Sequence, residues 1–210
     1  MGKTPLSRKE RERLSHRAEI LKTALRLFSE KGFHNVSMQE IAEESEFAVG
    51  TLYNFFESKE LMFEELGDTC ARKITEGLLG ILDRGGNEVE RLTGLIRNMP
   101  ELLAENAEFI KLYVSELGIK GARFSKERDH DEFNAVVTSK VEQLFADGIR
   151  NGLFRGVDPV IAAKVFDSTM KTLGIESAGR FDKSAAAEMF EKFEDIFLHG
   201  LLLSRRAGDD

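Results

Sequence analysis

Residues 37–61 read SMQEIAEESEFAVGTLYNFFESKEL. Ser37 and Ser58 each stand where a side-chain oxygen can cap a helix. Ser37 through Glu40 also has the serine-to-glutamate spacing of a capping box. Ile41, Ala42, Leu52 and Phe56 fall at helical intervals between the two serines. The spacing predicts a helix from Ser37 to near Ser45, a tight turn, a second short helix from about Ala48 to Phe55, and a third starting at Ser58. A unit of this shape can push one short helix into the major groove of DNA.

Upstream, Leu14, Ala18, Leu21, Leu25 and Phe28 form an apolar stripe, widened by Ile20, Ala24 and Leu27. That stripe predicts a helix from about Ser7 to Lys31, ended by Gly32. Downstream, Leu61, Phe63, Leu66, Cys70, Ile74 and Leu78 mark a long fourth helix. Further helices are expected at roughly 87–104, 106–118, 130–151, 158–177 and 184–206. Breaks are expected at Gly85-Gly86, Pro100, Gly118 to Arg128, Gly152 to Pro159 and Gly179 to Lys183. Asp158-Pro159 is a cap followed by proline in the first helical position. The expected fold class is all-α: a three-helix helix-turn-helix head over 1–60 and a larger helical-bundle body over 61–210, about nine helices in total.

The chain has 210 residues, 41% hydrophobic and 32% charged, with a formal net charge of −7 and only three prolines. That balance suits a globular fold with a sizeable core. Cys70 is the single cysteine, so no internal disulfide is available. The charged N-terminus carries no secretory pattern, and no apolar run approaches a bilayer span. A cytoplasmic protein with no membrane partner is the expectation. The charge is unevenly spread. Residues 1–26 carry Lys3, Arg8, Lys9, Arg11, Arg13, Arg17, Lys22 and Arg26 against Glu10, Glu12 and Glu19, whereas residues 61–210 are net acidic. A positive end on a negative body orients a molecule on a polyanion; a solvated basic tail would show the same composition.

The residues around Gly50 suit a groove-facing helix. Gly50 permits close backbone approach. Thr51, Tyr53 and Asn54 offer hydrogen-bonding groups, while Leu52 and Phe56 anchor the helix. Lys59 and the free N–H groups at its helix start could hold a phosphate, as could the helix start at Ser37. The same spacing is also compatible with three core helices whose Tyr and Asn contact nothing.

Val49-Gly50-Thr51-Leu52-Tyr53-Asn54-Phe55-Phe56, followed by Ser58-Lys59-Glu60-Leu61, resembles the signature of the TetR family of bacterial transcriptional regulators. Ile20-Leu21, Ala24, Leu27-Phe28, Lys31-Gly32-Phe33, Ser37 and Ile41-Ala42 fit the same pattern. The match covers about residues 17–63. The resemblance implies a head that binds double-stranded operator DNA as part of a homodimer, and a body that takes a small-molecule effector. It assigns phosphate contacts to Ser37, Thr51, Tyr53 and Lys59, and groove-facing positions to Val49, Gly50 and Asn54. Two departures stand out. Glu46 occupies a turn position where the family commonly has Gly, and a left-handed conformation there would cost up to about 1 kcal/mol. Ala48 and Val49 replace a frequent Ser or Thr cap and a frequent Lys; Val49 could instead touch a thymine methyl. The basic residues Arg8, Lys9, Arg11 and Arg13 read as an arm preceding the first helix, able to meet the minor groove or phosphates.

In the body, TetR-like proteins pair their last two long helices with those of a second subunit. The matching faces here carry Ala162, Val165, Phe166, Thr169, Met170 and Leu173, then Ala187, Phe190, Phe193, Ile196, Phe197, Gly200, Leu201 and Leu203. Val165, Thr169, Phe193, Phe197 and Leu201 are the candidate dimer contacts, with intrachain core as the competing reading. Cys70, Phe109, Tyr113, Asn134, Val137, Phe166 and Met170 are the candidate effector contacts, with Ile74, Phe133, Val141 and Glu116 nearby. The loop charges Arg123, Lys126 and Arg128 could gate an entrance, or simply be solvated.

Enzyme chemistry finds little support. His16, His34, His130 and His199 form no ligand-spaced set, and no glycine loop cradles phosphate. Cys70 reads as a buried thiol. No cofactor and no metal are implied. The expected function is a ligand-responsive regulator, most simply a repressor released by an apolar or amphipathic effector. Two rivals are a helical protein-binding adaptor and an all-helical enzyme built on His130.

Overall fold

The computed structural model describes residues 6–124, 130–180 and 182–201, with side chains described except at 117–124, 130–134 and 178–180. The described residues are all helix and connecting turns: α1 (Arg8–Lys31), a 3-10 turn (Phe33–Asn35), α2 (Met38–Glu44), α3 (Val49–Phe55), α4 (Lys59–Leu82), α5 (Glu88–Glu105), α6 (Ala107–Phe124), α7 (His130–Arg150), α8 (Pro159–Arg180) and α9 (Lys183–Leu201). No described helix is long and apolar enough to cross a membrane.

Helix starts follow their caps. The Ser7 hydroxyl accepts from the Glu10 N–H at 3.2 Å, and the Glu10 carboxylate accepts from the Ser7 N–H at 2.8 Å. Hydrogen bonding of the carboxylate by the Ser7 side chain and then by the Ser7 N–H lowers the Glu10 pKa. Asn87 and Glu90 close an equivalent box on α5. Ser58 caps α4 through the Leu61 N–H, and Asp158 caps α8 through Val160 and Ile161. At α2 only half of the expected box forms. Ser37 accepts from the Glu40 N–H, but the Glu40 carboxylate turns to Lys31.

α1 buries Ile20, Ala24, Leu27 and Phe28 on one face and ends at Gly32, whose φ of 82° a side chain would oppose. The basic residues expected in an arm are helical from Arg8 onward, and Leu14 is exposed rather than part of the buried stripe. The first turns of α1 are exposed along their whole length. On α4 the buried stripe is Met62, Leu66 and Cys70, with Leu61 exposed.

One expected break is absent, and another starts later than expected, with residues 125–128 of the Gly118 to Arg128 stretch outside those described. α5 runs through Pro100, and α6 runs through Gly118 to Phe124. A proline inside a helix forfeits a backbone bond, at about 3 kcal/mol, and a glycine costs about 1 kcal/mol. Burial of Met99, Pro100 and Leu103 on one face of α5 offsets the first. The second is small beside the packing of α6 against α1, α4 and α8.

Two apolar cores result. One gathers Ile20, Phe28, Ile41, Leu52, Phe56 and Met62 from the first four helices, and reaches Leu66 and Cys70 on α4 and Phe109 and Leu112 on α6. The other joins α5, α7, α8 and α9 around Leu92, Ile96, Phe145, Phe154 and Phe190. α4 belongs to both sides. Its first turns close the small core, and its last turn supplies Ile81 and Leu82 to the large one.

Between α2 and α3 the chain turns through Glu46 at φ 59°, the one described non-glycine residue with positive φ. The Phe47 N–H then bonds back to the Ala42 carbonyl at 2.9 Å. The left-handed conformation on which the sequence reading made the cost conditional is therefore the one adopted. Glu46→Gly is expected to raise unfolding stability by up to about 1 kcal/mol, while Glu46→Ala, which keeps a Cβ, gives no such gain. Paired urea melts check this.

Candidate nucleic-acid interface and effector cavity

α3 turns Leu52 and Phe56 fully into the small core. Its other face carries Val49, Gly50, Tyr53 and Asn54 exposed and Thr51 half-buried, with no charged residue among them. Tyr53 is 52% exposed. A Cβ at Gly50 would meet nothing within 4 Å, so nothing in this chain requires a glycine there. α3 also starts on Ala48 without a side-chain cap. Ser37, Tyr53 and Lys59 line one groove of about 610 Å³, between the 3-10 turn, the start of α2 and the start of α4.

Lys59 is not the free phosphate ligand that its position suggests. Its ammonium donates to the carbonyls of Phe33 and Val36 at 2.9 Å and of His34 at 3.4 Å, and sits 4.7 Å from the centre of the Phe33 ring. An ammonium has three donors, and all three are engaged. From the other side, Glu116 on α6 accepts from the Phe33 N–H at 3.1 Å and lies 3.4 Å from the His34 ring. The turn leading into α2 is thus held by α4 and α6 together.

Other head cations are similarly occupied. Arg17 forks onto Glu65, donates to the Phe55 carbonyl at 2.6 Å and stacks 4.1 Å over Phe56, tying α1 to α3 and α4. Arg26 pairs with Glu44 and Glu30, Lys31 with Glu40, and Arg8 with Glu12. No described acceptor meets Lys9, Arg11 or Arg13. They lie on the exposed first turns of α1, just ahead of His16, whose ring packs 5.2 Å from that of Phe47 beside α3.

In the body, a cavity of about 560 Å³ opens among α4 to α8. Ala71, Ile74, Thr75 and Leu78 face it from α4, Leu95, Met99 and Leu103 from α5, and Ile110 from α6. Val137, Thr138 and Val141 come from α7, and Phe166, Asp167, Ser168, Met170, Lys171 and Thr172 are among those from α8. Three of the expected effector residues, Val137, Phe166 and Met170, are there. Cys70, Phe109 and Tyr113 are not. They belong to the small core, where Phe63, Phe109 and Tyr113 form an aromatic cluster with ring centres 5.5–6.3 Å apart. Burial pushes the Cys70 thiol up to about 11. Glu116 serves the 3-10 turn instead of a ligand. The side chains of Asn134 and Phe133 lie outside those described, as do the Arg123 and His130 side chains and residues Lys126, Arg128 and Asp129. The hydroxyls of Thr75, Thr138, Ser168 and Thr172 were missed. The 71-74-75-78 spacing on α4 was the available signal.

The expected dimer residues divide. Val165 is 51% exposed and Thr169 half-buried. Phe193 and Leu201 are buried and Phe197 is half-buried in the large core, where Phe193 and Phe197 pack on Phe166. An apolar stripe does not name its partner, and α5 and α8 of the same chain cover this one. The large apolar side chains left exposed among the described residues of these two helices are Val160, Ile161 and Val165 on α8 and Ile196, at 73%, on α9. Leu203 lies outside the described residues.

The family model described as "Bacterial regulatory proteins, tetR family" matches residues 20–66, which span the α2–turn–α3 unit. The HTH-type transcriptional repressor KstR2 of Mycolicibacterium smegmatis is 30% identical over 151 residues, 67% of this chain and 68% of that protein. The chain belongs to the TetR family of bacterial transcriptional regulators. TetR-family relatives are DNA-binding regulators, so the adaptor and enzyme readings are not favoured. The fold agrees. A TetR-family regulator from Pectobacterium atrosepticum superposes with a TM-score of 0.71 at 22% identity, over 96% of this chain and 100% of that one. AibR, solved with isovaleryl coenzyme A and operator DNA, superposes with a TM-score of 0.61 at 23% identity, over 84% of this chain and 97% of that one.

The two roles open to the head residues separate by measurement. Lys59→Met is expected to lower stability by about 1–2 kcal/mol, because it orphans the carbonyls that its ammonium serves. Tyr53→Phe, on the exposed face, should stay within about 0.5 kcal/mol of the parent in the same melts.

Proposed function

We propose that this regulator is a repressor that works in the cytoplasm, binds a near-palindromic operator as a homodimer and lets go when a small apolar or amphipathic molecule fills the body cavity. The observation that carries the reading is the division of labour on α4. Its first turns hold the head core beneath α3, and its middle turns line the cavity. A molecule lodged against Ile74 and Thr75 therefore acts on the helix that carries the DNA-reading unit. Residues 1–60 act as the reading head and 61–210 as the sensing and pairing body. The KstR2 relative is named a repressor, and the AibR structure holds both an acyl-coenzyme A and operator DNA; both support this reading.

In this proposal Val49, Gly50, Thr51, Tyr53 and Asn54 face the groove, and Ser37 meets phosphate with the free amides at the start of α2. Lys59 acts indirectly, by setting the turn before α2. Lys9, Arg11 and Arg13 supply the cationic contacts. The two copies meet through Ile161, Val165 and Ile196, with Thr169 at the edge, which sets two α3 helices on successive major grooves.

Operator affinity should fall steeply with salt in a gel-shift titration. Replacing Lys9, Arg11 and Arg13 with Gln should lower the log–log slope by about 1 for each phosphate that the variant no longer neutralises. A flat salt profile contradicts the proposal. For the pairing surface, Val165→Arg with Ile196→Arg is expected to yield a folded monomer by sedimentation, with operator affinity down by at least about tenfold.

A further inference from the structure

Among the described residues lining the body cavity, one polar side chain is both buried and without a hydrogen-bond partner. Thr75 is only 5% exposed and lines the cavity from the middle of α4. A threonine or serine inside a helix ordinarily bonds back to a carbonyl of the preceding turn, as Thr169 does to Val165 at 2.8 Å and Ser177 to Leu173 at 2.6 Å. The Thr75 hydroxyl makes no hydrogen bond to any described residue. A valine of the same shape would fill that position without an unserved donor. In water a solvent molecule takes the bond, and a ligand that displaces it must replace the bond or lose affinity.

The remaining lining fixes the charge of such a ligand. The buried walls, Leu95, Met99, Leu103, Val141, Phe166 and Met170, are apolar. The charged groups among the described lining residues are Asp167 and Lys171, and they pair with each other at 2.9 Å. An ion lodged beside Thr75 would be buried with no counter-charge to meet it. The other polar lining groups, Thr138, Ser168 and Thr172, are neutral hydroxyls, more exposed than Thr75.

We propose that the effector is an uncharged, compact apolar molecule bearing a carbonyl or hydroxyl oxygen, and that Thr75 binds that oxygen. This deepens the effector reading given above and rests on it. The anchor stands on α4 itself, so the bond that selects the ligand is made on the helix that carries the head.

Three shape-matched probes test the class on the full chain: 2-acetylnaphthalene, 2-ethylnaphthalene and 2-naphthoate, titrated by calorimetry. The ketone is expected to bind about tenfold more tightly than the hydrocarbon, and the anion most weakly of the three. Thr75→Val should erase the ketone's advantage while leaving 2-ethylnaphthalene affinity within about twofold, and Thr75→Ser should restore it. The 2-ethylnaphthalene titration also reports whether the variant cavity is intact. Tightest binding by 2-naphthoate overturns the uncharged class. A ketone preference that survives Thr75→Val overturns the anchor. Both of those results leave the cavity standing as an effector site, whereas no binding by any probe overturns the class and the effector reading together.

Discussion

The head depends on one ammonium group. Lys59 begins α4, yet its three donors all point back to the carbonyls of Phe33, His34 and Val36. Those carbonyls belong to the segment that turns the chain from α1 into α2, so the angle at which the reading unit leaves α1 is set by the start of α4. Glu116 grips the same turn from α6. Backbone groups in a short turn have few partners of their own, and charge-assisted bonds from two neighbouring helices define their position more tightly than loop packing would.

That arrangement changes how the charge of the molecule is understood. Counting places an excess of basic residues at the N-terminal end of a chain with net charge −7. Most of the cations around the head serve the fold: Arg17 holds Glu65, Arg26 holds Glu44, Lys31 holds Glu40 and Lys59 holds carbonyls. Among the described residues of α1, what remains for a polyanion is Lys9, Arg11 and Arg13 on the first turns, ahead of the point where His16 meets Phe47, and Lys22 further along. The α3 face itself is uncharged. In the proposed complex attraction and reading fall to different helices: α1 would supply the field, which is insensitive to sequence, and α3 would supply hydrogen-bonding groups and the Val49 side chain, which are not.

The sequence was most legible where a local rule has one outcome. Ser37, Ser58 and Asp158 cap the helices they were expected to cap, and Glu46 adopts the left-handed conformation on which its expected cost depends. It was least legible where the outcome depends on a distant partner. Pro100 and Gly118 carry a local cost, but packing of α5 and α6 outweighs it. The apolar stripe on α9 is real, yet nothing in its spacing says whether α5 or a second subunit covers it. The candidate site shows the same division. The α3 positions could be placed on an exposed face from periodicity alone. Cys70, Phe109 and Tyr113 were assigned to the cavity because they are apolar residues on the right helices, and they sit instead one layer nearer the head.

That layer is what joins the two halves. Ile110 packs against both apolar cores and lines the cavity, and Ile74 lines the cavity while packing against the small core. On α6, Tyr113 and Glu116 follow Ile110 toward the 3-10 turn. On α4, Cys70, Leu66 and Met62 lead from Ile74 to the core beneath α3. Both routes end on the same few backbone groups, the carbonyls and N–H held by Lys59 and Glu116. A close-packed layer of aromatic rings does not deform continuously. A ligand that favours one placement of α4 and α6 over another must therefore favour one placement of the turn before α2, and its leverage on the head is limited by its difference in affinity for the two placements. Contacts that a ligand makes equally in both contribute nothing to release. On that ground a bond to α4 itself, made inside the cavity, is better placed to act on the head than apolar contacts spread evenly over the five helices that surround it.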